Sequence, residues 1–141
     1  MSTERNKDVV RRAAETFNAL DRDAFLANYA SELVVHVGEG VDPVIVTPDQ
    51  HWAAVLAWNE RFEGFTESIQ QMVAEGDHVF LRSRYSGVHQ GEWRGVPPTG
   101  KHVEWDAWQI LRFEDGLIAE ERLQMDLLDL FEQLGAIDPP R

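Results

Sequence analysis

The sequence predicts an α+β fold, with helices packed on one face of a strongly curved antiparallel sheet. Three observations predict it. Apolar residues recur at three- and four-residue spacing through the N-terminal half, the period changes to two from Phe65, and the turns "EGD" and "EDG" each join two long period-two runs. In "NKDVVRRAAETFNAL", Val9, Val10, Ala13, Ala14, Phe17 and Leu20 form the apolar face of an amphipathic helix. "DRDAFLANYA" follows as a shorter helix, with Asp21 placed to cap it and Phe25, Leu26 and Tyr29 on one side, and "ELVVHVG" reads as a short buried strand. "TPDQHWAAVLAWNERFEG" carries helix start signals in order: Thr47 as N-cap, Pro48 at the first helical position and Asp49 in the first turn, with Gly64 just beyond the end.

The C-terminal half reads as two hairpins and a last helix. In "FTESIQQMVAEGDHVFLRSRYSGVH" the second strand sets Val79, Leu81, Ser83 and Tyr85 on one face and Phe80, Arg82, Arg84 and Ser86 on the other. "KHVEWDAWQILRFEDGLIAEERLQMD" repeats the arrangement, Lys101 to Phe113 pairing with Leu117 to Met125. "DLLDLFEQLG" follows as a short helix that Asp126 can cap and Gly135 can stop. No repeat or linker interrupts the chain, so residues 1–141 are expected to form one domain.

Composition removes several function classes. With 25 acidic against 13 basic residues the net charge is -12, which argues against nucleic acid and anionic membrane as partners. No apolar run approaches the roughly 20 residues of a membrane span. The absence of cysteine excludes disulfides, thiolate metal sites and a cysteine nucleophile, and "MSTERNKDVV" has no apolar stretch behind its charges, so a cytoplasmic location is expected. Lys7 and Lys101 are the only lysines; an acidic, lysine-poor surface suits a high-salt cytosol, and equally an ordinary acidic bacterial protein. The five histidines are scattered, so no metal is expected. "GEGVDP" mimics the start of a dinucleotide fingerprint, but Pro43 stands where the third glycine belongs.

The stretch "GVHQGEWRGVPPTGKHV" resembles the loop and strand signature of the SnoaL-like polyketide cyclases, a branch of the nuclear transport factor 2-like superfamily. "EGDHVFLR" resembles the family's Gly-Asp-x-Val-x-x-Arg strand, and "RFEDGLIAEERLQMD" its Arg-x-x-Asp-Gly-x-Ile-x-Glu segment closing on an aspartate. The resemblance runs from about Asn6 to Gly135, with its specific motifs between Gly76 and Gly135. It implies a cone-shaped, cystatin-like curved sheet with the N-terminal helices on its concave face, and an apolar pocket between them for a small hydrophobic substrate. It also implies cofactor-independent acid–base chemistry on a carbonyl compound. Gly95, Pro97, Pro98 and Gly100 can make the loop a rigid turn at the pocket's rim.

By the same resemblance Asp126 is the expected acid and base, activated by burial, although it also sits where a helix cap belongs. His89 matches the signature histidine and can orient Asp126, touch substrate or pin the turn. His36, Trp58, Arg82, Tyr85, Trp108, Arg112 and Arg122 are the further candidates for substrate contact. Trp93 and Trp105 can be pocket walls or part of an interface. Many relatives carry tryptophan where this chain has Arg122; pointing inward, Arg122 would lower the pKa of Asp126 and favour water activation of the epoxide-hydrolase kind. The rival class is a non-catalytic pocket or dimerisation module. A homodimer through the outer sheet face is expected, because the helices can cover only one face.

Overall fold

A computed structural model describes residues 2–37 and 44–138. The "GEGVDP" stretch at 38–43 and the Pro139–Pro140 tail lie outside the described residues.

Helix α1 (Thr3–Asn18) begins at Ser2, whose side chain accepts from the Arg5 amide, and α2 (Arg22–Leu26) begins at Asp21, which accepts from the Ala24 amide. Strand β1 is Tyr29–Val37. Helix α3 (Pro48–Arg61) starts as its sequence signals require, with Thr47 accepting from Gln50 N. Four strands follow: β2 (Phe62–Glu75), β3 (His78–His89), β4 (His102–Glu114) and β5 (Leu117–Met125), then α4 (Leu127–Gln133). The sheet order is β1-β5-β4-β3-β2. Strands β2 to β5 form an antiparallel meander, whereas β1 pairs with β5 in parallel, an addition that strand periodicity could not specify.

Gly64 corrects one boundary. Expected as a helix stop, it lies inside β2 with φ of 66°, because Phe62 already adopts extended geometry at the end of α3. The register of β2 against β3 shifts between Glu63 and Thr66 and again between Ile69 and Gln71. Such bulges bend and twist a strand, which curls the sheet around the helices.

Two of the core clusters among the described residues pack the helices onto the sheet. Val9, Val10 and Ala13 of α1 pack on Val79, Leu81, Leu111, Phe113 and Ile118. Toward the other end an aromatic block gathers Phe62, Phe65, Tyr85, Trp93 and Trp105, with Trp58 stacked on Phe65 at 5.3 Å between centroids. Trp93 and Trp105 are buried, so the two tryptophans of the loop region belong to the core. Each large side chain so buried contributes about 1.5–3 kcal/mol relative to exposure.

The glycine-rich loop closes on this block. Trp93 and Val96 exchange two backbone hydrogen bonds across Arg94 and Gly95, both at positive φ, which makes a tight hairpin turn. Gly91 passes so close to the end of α3 that a Cβ there would meet Glu60 O at 2.7 Å. The loop is therefore built for close backbone approach as much as for turning.

Candidate active site

Helices α1 and α3 and the concave face of the sheet enclose a cavity of about 70 Å³. Its walls are largely apolar, Val10, Phe17, Phe25, Val55, Trp58 and Leu123 among them. The polar side chains that reach it are Tyr29, His51, Glu67, Tyr85, Gln109 and Glu121. Strand alternation puts them there. Glu67 shares the inward face of β2 with Phe65, Tyr85 that of β3 with Leu81 and Ser83, Gln109 that of β4 with Ala107 and Leu111, and Glu121 that of β5 with Ala119 and Leu123.

These groups form a connected network. Ser83 Oγ donates to Glu67 Oε1 at 2.7 Å, and Gln109 Nε2 donates to the same oxygen at 3.0 Å and to Tyr85 Oη at 3.0 Å. Both bonds fall on one carboxylate oxygen of Glu67, which leaves the other for a reacting partner. The Tyr85 hydroxyl accepts from Gln109, so its own proton is available to an acceptor. Tyr29 Oη donates to Glu121 Oε2 at 3.5 Å, a long contact. Asn18 fixes the backbone of Glu67, its amide side chain pairing with Glu67 N and O at 2.8 and 2.9 Å.

Burial in this apolar shell sets the protonation states. Desolvation, then the nearby charge of Glu67, pushes the Glu121 carboxyl up to about 8, against the opposing pull of the Tyr29 hydroxyl. Glu67 is also raised by desolvation, with the bonds from Ser83 and Gln109 pulling it back. Burial holds both phenols, Tyr29 and Tyr85, well above their usual range, so they are neutral donors. His51, on α3, is lowered to about 4 by burial and is therefore neutral near pH 7. Its ring meets Tyr29 edge-on at 4.6 Å, and its Nδ1 is buried without a hydrogen-bond partner. An unpaired buried nitrogen costs roughly 1–3 kcal/mol, which makes it a place where a ligand's polar group fits.

The sequence-derived candidates divide sharply. Trp58 and Tyr85 line the cavity. Asp126 does not: it is exposed, and its Oδ1 accepts from Asp129 N at 3.0 Å as the cap of α4. The expectation that β5 ends at a buried aspartate is corrected, because immediately after the cavity-lining Met125 the chain has already left the cup to start a helix. His89 is fully buried, but outside the cavity lining; its Nδ1 lies 3.1 Å from Thr99 Oγ1, 3.3 Å from Thr99 N, and its ring packs on Phe62. It pins the glycine–proline loop. The remaining five sit away from the cavity. His36 lies 3.6 Å from Glu120, Arg82 pairs with Asp106 and stacks on Trp108, and Arg112 pairs with Glu114 and Glu120. Trp108 is 46% exposed beside Phe80, and Arg122 is exposed on β5. All follow the strand alternation that turns them from the cup. With Arg122 outside it, no arginine among the described residues lines the cavity.

Sequence reasoning missed Tyr29, His51, Glu67, Gln109 and Glu121 as site residues. For the last three the signal was present: each is a polar residue at an inward position between apolar neighbours of the same strand face. Among the described residues, no group of three or more histidine or acidic side chains is placed to hold a metal ion, and no helix is long and apolar enough to cross a membrane.

Known proteins share this architecture. The chain is 25% identical over 135 residues to the aklanonic acid methyl ester cyclase DauD of Streptomyces sp. (strain C5), covering 91% of this chain and 80% of that protein. Wild-type IdmH from Streptomyces antibioticus superposes with a TM-score of 0.80 at 27% identity, over 92% of this chain and 98% of IdmH. TsrD from Streptomyces laurentii gives a TM-score of 0.84 at 24% identity, over 97% and 99% of the two chains, a likeness of fold. The family model for SnoaL-like polyketide cyclases matches residues 7–134, so the chain belongs to that family.

Proposed function

We propose that the protein is a cofactor-independent acid–base enzyme that acts on a small carbonyl compound in the cavity, through Glu67 and Glu121. The observation that carries this reading is a pair of carboxyl groups in one apolar cavity, of which Glu121 holds its proton to about pH 8. Environments that separate the protonation of two acids assign them opposite roles. In its carboxylate form Glu67, steadied by Ser83 and Gln109, removes a proton from a carbon beside the substrate carbonyl. The protonated Glu121, with the neutral hydroxyls of Tyr29 and Tyr85, donates to the developing enolate oxygen. The enolate carbon then attacks a second carbonyl within the same molecule, the new alkoxide taking back the proton held by Glu67, or it is reprotonated at carbon by Glu67, which gives ring closure or isomerisation. In either case one proton is taken and one returned. Neutral His51 offers its unpaired Nδ1 to a polar group of the substrate.

Deuterium uptake at the α-carbon of 2-tetralone in D₂O, followed by proton NMR, tests the first step. Wild type is expected to accelerate exchange, and Glu67→Gln and Glu121→Gln each to lose about 100-fold or more. Exchange at the buffer rate with wild type would favour the rival class, a non-catalytic binding or dimerisation module. The homodimer is assigned to the outer face of the sheet, where Phe80, Trp108 and Ile110 are exposed together. Sedimentation equilibrium that detects only the single chain would remove it.

A further inference from the structure

The cavity gathers two carboxyl groups and has no cationic side chain to meet them. Glu67 of β2 and Glu121 of β5 both reach it, whereas Arg82 and Arg112 of the same sheet pair with acids outside it. No lysine or arginine among the described residues lines it, and the stretch 38–43, outside the described residues, contains neither. His51 is held neutral near pH 7 by burial, so it does not supply the charge. Buried acids are ordinarily matched by a cation or by several donors.

The acceptors are only partly used. Ser83 and Gln109 both donate to Glu67 Oε1, and Tyr29 reaches Glu121 Oε2, so Glu67 Oε2 and Glu121 Oε1 accept from none of the described residues. His51, 7% exposed, lines the same space, and its Nδ1 has no partner. With the ring proton on Nε2, that nitrogen is a third unused acceptor. Unused acceptors of which two are acidic match a ligand that is positive and rich in N–H donors. An alkylammonium ion is both, and its alkyl body suits the apolar wall. Phe17, Phe25, Trp58 and Phe65 belong to that wall, and aromatic rings receive a cation better than aliphatic side chains do. Size points the same way. At about 70 Å³ the cavity has roughly half the ~150 Å³ that accommodates benzene, which is room for the reacting end of a larger carbonyl compound or for the whole of a small ion. The net charge of -12 also draws cations toward the protein at long range.

We propose that the cavity is a binding site for a small primary or secondary alkylammonium ion, held between Glu67, Glu121 and His51. The ion bridges the free oxygens of the two carboxylates and offsets the repulsion between them. It takes the place of the Glu121 proton, so its affinity rises as pH passes through about 8. The other titratable groups on that wall are Glu67, Tyr29, Tyr85 and His51. Ionisation of Glu67 acts in the same direction, both phenols stay neutral to higher pH, and His51 titrates near 4. The site goes beyond the acid–base reading and does not require turnover.

Isopropylammonium and 2-propanol match in size and shape and differ in charge; an amine of this kind, like that of lysine, keeps its proton to about pH 10.4. Titration of nitrogen-labelled protein with each, followed by backbone amide shifts in NMR, tests the site. At pH 8.5 wild type is expected to bind isopropylammonium at least about tenfold more tightly than 2-propanol, and about fivefold more tightly than at pH 6. Glu121→Gln, which keeps the side chain's shape, should remove most of that pH dependence. Glu67→Gln and Glu121→Gln together should bring the two probes within about twofold, while Asp126→Asn, at an exposed carboxylate, should change nothing. Equal affinity for the two probes in wild type, binding of neither, or a preference that survives the paired glutamate substitutions overturns the proposal. The two readings fail separately. Ammonium binding without proton exchange on 2-tetralone keeps this site and removes the glutamate mechanism; exchange without ammonium binding does the reverse.

Discussion

Strand β5 turns one of its two carboxylates inward, Glu121, and just past its end stands another, Asp126, five residues on, and the two regions are chemically opposite. Glu121 faces a desolvated cup where its only donor among the described residues is the distant Tyr29 hydroxyl, and its proton is retained to about pH 8. Asp126 stands in solvent and spends its Oδ1 on the first turn of α4. Both are carboxylates, one within the strand and one just past its end; what differs is which way the backbone points the side chain and what meets it. An acid becomes a catalytic candidate when its charge is costly and its lone pairs are unspent.

The comparison breaks most visibly in turnover. Glu121→Gln is expected to lower α-proton exchange by about 100-fold or more, whereas Asp126→Asn, which keeps a capping side chain, should change it less than about threefold. NMR rates on the two variants in parallel check this. Equal losses would erase the distinction.

Stability against pH sharpens it next. Between the ordinary carboxylate range and about 8, the unfolded chain has released the Glu121 proton and the folded chain still holds it. Stability therefore falls as pH rises through that window, by an amount on the order of a few kcal/mol. His51 acts in the opposite sense: its folded pKa of about 4 lies below the usual 6.5, so its contribution is full above 6.5 and is lost as pH falls toward 4. Urea melts across pH 4 to 9 should thus show a maximum on the acid side of neutrality. In Glu121→Gln the decline above pH 6.5 should flatten, while Asp126→Asn should retain it.

The smallest effect belongs to the cap itself. Asp126→Ala should cost about 1 kcal/mol through the start of α4, a loss read as a shift in urea midpoint with activity preserved. Were Asp126→Ala neutral for stability and damaging for turnover, the assignment of the two regions would be reversed.

Much of this was legible in the sequence, for reasons that can be named. Helix caps are local chemistry, so Asp21, Thr47 and Asp126 could be identified from a few neighbours, and the "EGD" and "EDG" turns fixed both hairpins. The parallel pairing of β1 with β5 joins residues about 90 positions apart, and no local pattern encodes it. The site divided along the same line. Motif resemblance directed attention to His89, Asp126 and the arginines, which hold the loop, the last helix and the outer face. Strand alternation already placed Glu121 between Ala119 and Leu123 on the buried face, and Gln109 between Ala107 and Leu111. A polar residue on an apolar face was the stronger signal. His51 could not be found this way, since only the fold brings α3 against Tyr29.

The most direct test of the account is the titration of the glutamate side-chain carboxyls by carbon-detected NMR on protein labelled at those carbons. The account predicts one resonance that titrates near pH 8, disappears in Glu121→Gln and moves to lower pH in Glu67→Gln, where the neighbouring charge is gone. Every glutamate carboxyl titrating in the ordinary acidic range would contradict it.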